Sequence, residues 1–269
     1  MFMGVKFILS LYRNMKIREI HNKELKVNKV DMVCDKTIKD SKGKSIIPPL
    51  MDTSHFYIIS GASGSGKTNL LINLLKSNKQ TKDKKHKISY RKMFDKIIFV
   101  SPSSQTISDS PLEKIDDSQK FTELSEDVFE MVDEISEEAI EENTHNLLIL
   151  DDVSSQLRTK ENERKLNQII KNRRHKNLSI WIIGHRIVDF GTGLRTNASM
   201  IYVFAPKTNK EIETIQSEYM LMPKKEAEEI FKVTFKTRYD FLLIDTSLRN
   251  SAKFEFYRNF NKLEFENND

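Results

Sequence analysis

The chain has 269 residues, 38% of them hydrophobic and 31% charged, with a net charge of +5. That length suits one large α/β domain with modest additions, the proportions are ordinary for a soluble protein, and no apolar run reaches bilayer-spanning length. Cys34 is the only cysteine, which excludes an intrachain disulfide and fits a reducing compartment. The charge is unevenly spread. Residues 76–92 are basic, 109–142 acidic, and 158–176 basic again, an alternation that favours subunit contacts and polyanion binding over a uniform basic coat. Taken one at a time, each block also suits a solvated loop or helix face.

Met1 to Tyr12 is apolar but contains Lys6, is too short to span a bilayer and lacks a small-residue cleavage site, so it reads as an edge strand or a tail. Residues 1–50 form a polar lead-in with short strands, partly disordered, closed by Pro48-Pro49. The main domain is expected over 51–269 as alternating β and α. Strands are predicted at 56–60, 96–100, 147–151, 179–183 and 200–204. They are continuous apolar runs, as a parallel sheet covered on both faces requires. Helices are predicted at 67–77, 124–142, 160–175 and 209–220. The second carries an apolar stripe of Leu124, Val128, Met131, Val132, Ile135 and Ala139 on an acidic segment. Near the end, Phe241–Ile244 and Phe254–Tyr257 flank Thr246–Asn250 as a β-hairpin. These elements, together with the glycine-rich motif at 61–68, make the expected fold class α/β: a P-loop NTPase with a mostly parallel central sheet flanked by helices and a C-terminal β-hairpin.

The strongest motif is Gly61-Ala62-Ser63-Gly64-Ser65-Gly66-Lys67-Thr68, which fits G-x-x-x-x-G-K-[ST] at every fixed position. An apolar run precedes it and an amphipathic run from Asn69 follows, so the context is strand, loop, helix. Glycines let the backbone wrap round phosphates at the positive end of a helix. Lys67 is expected to reach the β- and γ-phosphates of ATP, and the Thr68 hydroxyl to hold Mg²⁺. The second motif is Asn146-Leu-Leu-Ile-Leu-Asp151-Asp152, an apolar strand ending in paired carboxylates. In this pattern the first acid, Asp151, belongs beside the Mg²⁺, and Asp152 is the general base that polarises water. The pair favours hydrolysis over kinase chemistry, though the same string also suits a strand followed by a capped helix.

The strand at 179–183 ends in Gly184-His185-Arg186, where ligands of open α/β sheets gather. His185 is either a sensor of the γ-phosphate or water, or an ordinary loop histidine. Arg173 and Arg174 precede that strand. They suit an arginine finger offered to a neighbouring subunit, and equally a basic helix end answering the helix dipole. Two strings carry no weight. Asn28-Lys-Val-Asp31 spells the guanine-reading NKxD but precedes the P-loop with no DxxG after it. Asp189-Phe-Gly191 spells a kinase DFG without an HRD loop. The six histidines and one cysteine show no metal-ligand spacing.

In order, GASGSGKT, NLLILDDV, NRRHKNLSIWIIGHR, GLRTNASMIYVF and YDFLLID resemble the poxvirus-type DNA-packaging ATPases of large DNA viruses, virophages and related elements, a branch of the FtsK–HerA superfamily. The resemblance covers roughly residues 55–260. Its specific part is the Arg-His pair before the sensor strand followed by Leu194-Arg195-Thr196-Asn197. It implies a homo-oligomeric ring, pentamer or hexamer, that drives double-stranded DNA into a capsid at a portal vertex. Such a ring works in the host-cell cytoplasm or the virion, with no membrane partner. It also implies a trans-acting arginine at Arg173-Arg174-His175, a family arginine at Arg195, and a polar sensor, often Gln, where this chain has His185. The competing reading is an ATPase that remodels or partitions proteins without moving DNA. The lysines at 76, 79, 82, 84, 85 and 87 are a candidate DNA grip, against the plainer reading of a solvated loop.

Overall fold

A computed structural model describes residues 36–76, 89–103, 111–248 and 253–264. Met1 to Tyr12, Cys34 and the lysines at 79, 82, 84, 85 and 87 lie outside them. Strands β1 (Phe56–Ser60), β2 (Ile97–Val100), β3 (Lys120–Phe121), β4 (Asn146–Asp151), β5 (Leu178–Gly184) and β6 (Met200–Phe204) are parallel. They are followed by antiparallel β7 (Phe241–Asp245), β8 (Glu255–Arg258) and β9 (Asn261–Lys262). Among the described residues they form a single sheet in the order β3-β2-β4-β5-β1-β6-β7-β8-β9. This is the expected α/β P-loop architecture, with a mostly parallel sheet and a C-terminal hairpin.

Both faces of the central strands β1, β2, β4, β5, β6 and β7 are buried, which is why they read as unbroken apolar runs. Along β1, Phe56 and Ile58 join one hydrophobic cluster while Tyr57 and Ile59 join the other. The first cluster is covered by helices α2 (Glu126–Glu142), α3 (Lys160–Asn172), α5 (Asn209–Tyr219) and α6 (Lys224–Thr234), with the short α4 (Thr192–Arg195) at its margin. The second is covered by α1 (Lys67–Leu75) and by Tyr90, Met93 and Phe94 from the segment that enters β2. Ile38, Ile46 and Met51 belong to it too, so the described part of the lead-in packs into the sheet's own core; residues 36–50 contain turns and no strand.

Helix ends fall where capping chemistry puts them. Helix α2 stops at Asn143, whose φ of 56° is the left-handed conformation that asparagine tolerates. The segment predicted to be helical to 175 leaves the α-helix at Asn172, because residues 173–177 form a turn that feeds β5. Helix α6 was not expected from the sequence. Its buried face is narrow, Ala227, Ile230 and Thr234, on an otherwise charged helix entered through Pro223. The alternating charge blocks are partly internal. The acidic α2 lies beside the basic stretch that follows, Lys165 pairing with Glu126, and Lys176 with Asp133 at 2.8 Å.

Candidate functional site

The parallel strands β1, β4 and β5 end at one edge of the sheet, and their ends are tied together. The Gly61 N–H donates to the Gly184 carbonyl at 3.2 Å, and the Asp152 N–H to the Ile183 carbonyl at 3.1 Å. The chain then turns sharply at each end. Asp152 adopts φ 57°, and Gly64 and Gly66 adopt 70° and 109°. A Cβ at Gly61 would stand 2.6 Å from the Phe204 Cβ and 2.7 Å from the Ser65 hydroxyl, so only glycine fits where the loop leaves β1. Helix α1 begins at Lys67 with no side-chain cap, which leaves its first N–H groups directed at the loop. Thr68 and Asn69 are exposed on that first turn.

Lys67 lies across the loop, its Nζ donating to the Gly61 and Ala62 carbonyls at 2.7 and 3.1 Å. Burial lowers its pKa, and the carboxylates of Asp151 and Asp152 oppose that shift. The Ser65 hydroxyl is buried inside the loop with no hydrogen-bond partner. Asp151 is buried, and its carboxyl is raised to about 6 by burial and by Asp152, with Lys67 and His185 pulling the other way. Asp152 is half exposed, and its Oδ1 stands 3.2 Å from the His185 Nε2. A buried carboxyl driven up by a neighbouring carboxylate is an oxygen donor that a hard divalent cation would relieve, and the exposed Thr68 hydroxyl at the start of α1 is a second oxygen donor. The residues present therefore fit Mg²⁺ as well as a polyphosphate.

The arginines separate into different environments. Arg173 is largely buried. It donates to the Ile170 carbonyl at 2.8 Å and the Ser199 hydroxyl at 3.2 Å, tying the end of α3 to the entry of β6. Burial first, then Arg174, lowers its pKa to about 10. Arg195 makes a two-pronged contact with Glu218 on α5, at 2.8 and 2.6 Å, and also donates to the Phe190 carbonyl. Arg174 is exposed. It precedes the amino end of β5, whose first residue Leu178 is six residues before Gly184, so at about 3.3 Å per residue it is roughly 20 Å from the P-loop edge of its own subunit. The fold thus brings Lys67, Thr68, Asp151, Asp152 and His185 to one edge, places Arg173 and Arg174 before the opposite end of β5, and holds Arg195 in its pair with Glu218.

Three further residues at this edge were not singled out. Arg186, next to His185, is held in a two-pronged pair with Asp189 at 3.1 and 2.7 Å. Arg238 and Tyr239 come from the turn between α6 and β7 and lie against the loop, with Arg238 Nη2 3.4 Å from the Gly64 carbonyl. They stand some 170 residues beyond the P-loop in sequence, and only the return of β7 beside β6 brings them near it.

The AAA domain family model matches residues 51–189. Among solved structures, the genome packaging NTPase B204 from Sulfolobus turreted icosahedral virus 2, in complex with ATP-gammaS, is similar at 18% identity and a TM-score of 0.52, over 76% of this chain and 96% of that one. B204, the DNA-packaging ATPase from Sulfolobus turreted icosahedral virus, is similar at 19% identity and a TM-score of 0.50, with the same coverage. At that identity the likeness establishes the fold. Curated protein sequences contain no match.

Proposed function

The chain belongs to the AAA domain family and is a P-loop ATPase, and we propose that it is the motor of a genome-packaging machine, a homo-oligomeric ring that hydrolyses ATP to drive double-stranded DNA into a viral capsid. The observation that carries the hydrolytic part is the convergence of the loop, Lys67, Asp151, Asp152 and His185 at one sheet edge. The DNA part is supported by the motif order of the sequence and by the packaging function named for the fold's relatives.

In this reading the backbone of Gly61 to Asn69 and the Lys67 ammonium hold the phosphates. On nucleotide binding Lys67 would exchange its two carbonyl partners for phosphate oxygens. Thr68 and Asp151 would hold Mg²⁺, which would supply positive charge to offset the negative charge of the phosphates. Asp152 accepts a proton from the attacking water as the water oxygen bonds to the γ-phosphorus and ADP leaves. His185, 3.2 Å from Asp152 Oδ1, orients that carboxylate. Arg174 is too far from its own loop to serve it and would be the finger offered to the next subunit. Arg173 and Arg195 brace the fold.

The test is phosphate release with and without duplex DNA over a salt series, run on the wild type and on mixtures of Lys67→Ala with Arg174→Ala. Duplex is expected to stimulate turnover, with the effect fading as salt rises because the contacts are to phosphates. Each variant alone is expected to be inactive and the mixture to recover activity, since one supplies an arginine and the other an intact pocket; trans arginines contribute ~10³-fold or more. ATPase activity indifferent to DNA at every salt concentration would refute the packaging reading. Mixed rings that assemble but stay inactive would remove Arg174 from the trans role.

A further inference from the structure

We propose that Arg238 and Tyr239 receive the base and ribose end of the nucleotide, Tyr239 as a stacking platform, so that the C-terminal antiparallel strands complete the ATP site. This rests on the reading that the P-loop holds a nucleoside triphosphate. The sheet fixes the direction in which that molecule lies. The order β4-β5-β1-β6-β7 puts Asp151, Asp152 and His185 on one side of the P-loop strand and β6 and β7 on the other. The terminal phosphate belongs with the acids, so the sugar and base leave toward β6 and β7. Strand β7 runs antiparallel to β6 with Phe241 opposite Phe204, which places the start of β7, and the turn before it, at the P-loop edge.

That turn presents Arg238 and Tyr239 to the loop. A Cβ at Gly66 would lie 3.3 Å from Tyr239 Cδ1, and one at Gly64 3.2 Å from Arg238 Nη2. The guanidinium carbon lies 5.3 Å from the Tyr239 ring centroid, a cation–π stack. Tyr239 is nevertheless 60% exposed, among the largest apolar exposures on the described surface. An aromatic ring left open to water beside a phosphate-binding loop, with a cation on its face, has the chemistry of an aromatic-base receptor.

The turn is also rigid. Buried Asp240 accepts from the Lys236 and Thr237 N–H groups, from Arg258 Nη2 at 2.9 Å and from Asn259 Nδ2 at 3.0 Å. Asn259 closes the bracket by exchanging two hydrogen bonds with the Phe241 backbone. Tyr239 therefore keeps its place against the loop without a ligand, and little order need be gained on binding.

The experiment is calorimetric titration with Mg²⁺ and either ATPγS or inorganic tripolyphosphate, on the wild type, Tyr239→Ala and Tyr239→Trp. Tyr239→Ala is expected to weaken ATPγS by about tenfold or more, to leave tripolyphosphate unchanged, and to be rescued by Tyr239→Trp. Purines are expected to bind more tightly than pyrimidines, since stacking grows with ring area. Unchanged ATPγS affinity in Tyr239→Ala would overturn the inference alone, and more so if DNA affinity fell instead. Equal losses for both ligands would mean that the ring supports the loop and not the base. A wild type that binds neither ligand would bring down the P-loop reading and this inference with it.

Discussion

Replacing Asp151 with Asn is expected to stabilise the nucleotide-free protein, and to do so more at high pH than at low. The folded carboxyl titrates near 6 against an ordinary 3.8, first because it is buried and second because Asp152 stands beside it. A carboxyl with a raised folded pKa contributes its full stability below the unfolded value of 3.8, and that stability is lost as pH climbs through about 6. The gap of about two units, at about 1.4 kcal/mol each, comes to about 3 kcal/mol near pH 8 and about half of that near pH 5. Asparagine has the shape of the protonated acid, so it removes the charge without opening a cavity. Urea denaturation of both proteins, free of nucleotide and with divalent cations chelated, reads the difference at the two pH values. Mg²⁺ with ATPγS is expected to reverse the ranking by stabilising the wild type more. A stability gain independent of pH, or a loss near pH 8, would refute the claim that burial and like charge hold this carboxyl poised for a cation.

Asp152→Asn is expected to bind ATPγS normally but to hydrolyse ATP about 10²–10⁴-fold more slowly, the usual contribution of a positioned base. Asparagine tolerates the φ of 57° at that position, so melting temperature should hold; turnover within threefold of the wild type would remove Asp152 from that role. Arg195→Ala is expected to lower stability by about 1–3 kcal/mol through loss of the Glu218 pair and the Phe190 carbonyl contact, while ATPγS affinity stays the same. Denaturant midpoints unchanged alongside a large fall in turnover would reverse that assignment and make Arg195 a participant in the reaction.

What the sequence could and could not reveal follows the range of the interactions. The loop from Gly61 to Thr68 was legible because its chemistry is local: positive φ at Gly64 and Gly66, a lysine and a helix start, all within eight residues. Strands β1, β4, β5 and β6 were legible because both their faces are buried, which leaves no room for polar alternation. Helix α6 escaped because its buried stripe is only Ala227, Ile230 and Thr234, too small and too polar to stand out among charged neighbours. Arg195 looked available because its partner, Glu218, lies on another helix 23 residues away. Arg238 and Tyr239 were invisible for the same reason on a larger scale: nothing at positions 238 and 239 announces a loop at 64 to 66.

The two edges of the sheet bear on whether one subunit suffices. The residues read as touching phosphate, cation or water in their own subunit sit at the carboxyl edge, and Asp152 and His185 there are 51% and 46% exposed. A general base left half open to solvent, as Asp152 would be in the proposed reaction, is at odds with the dry environment in which fixed charges act most strongly. Among the described cations at that edge, Lys67 and Arg238 lie against the loop of their own subunit and Arg186 pairs with Asp189. The exposed Arg174 stands at the opposite edge, where its own site cannot use it. A second copy that set its amino edge against the β4–β5 side of the first would cover Asp152 and supply a cation in one step. Repeating that heterologous contact generates a ring where the rotation closes. The incompleteness of the single site and the position of Arg174 are then two aspects of one arrangement, and this is the physical reason for expecting turnover to depend on assembly.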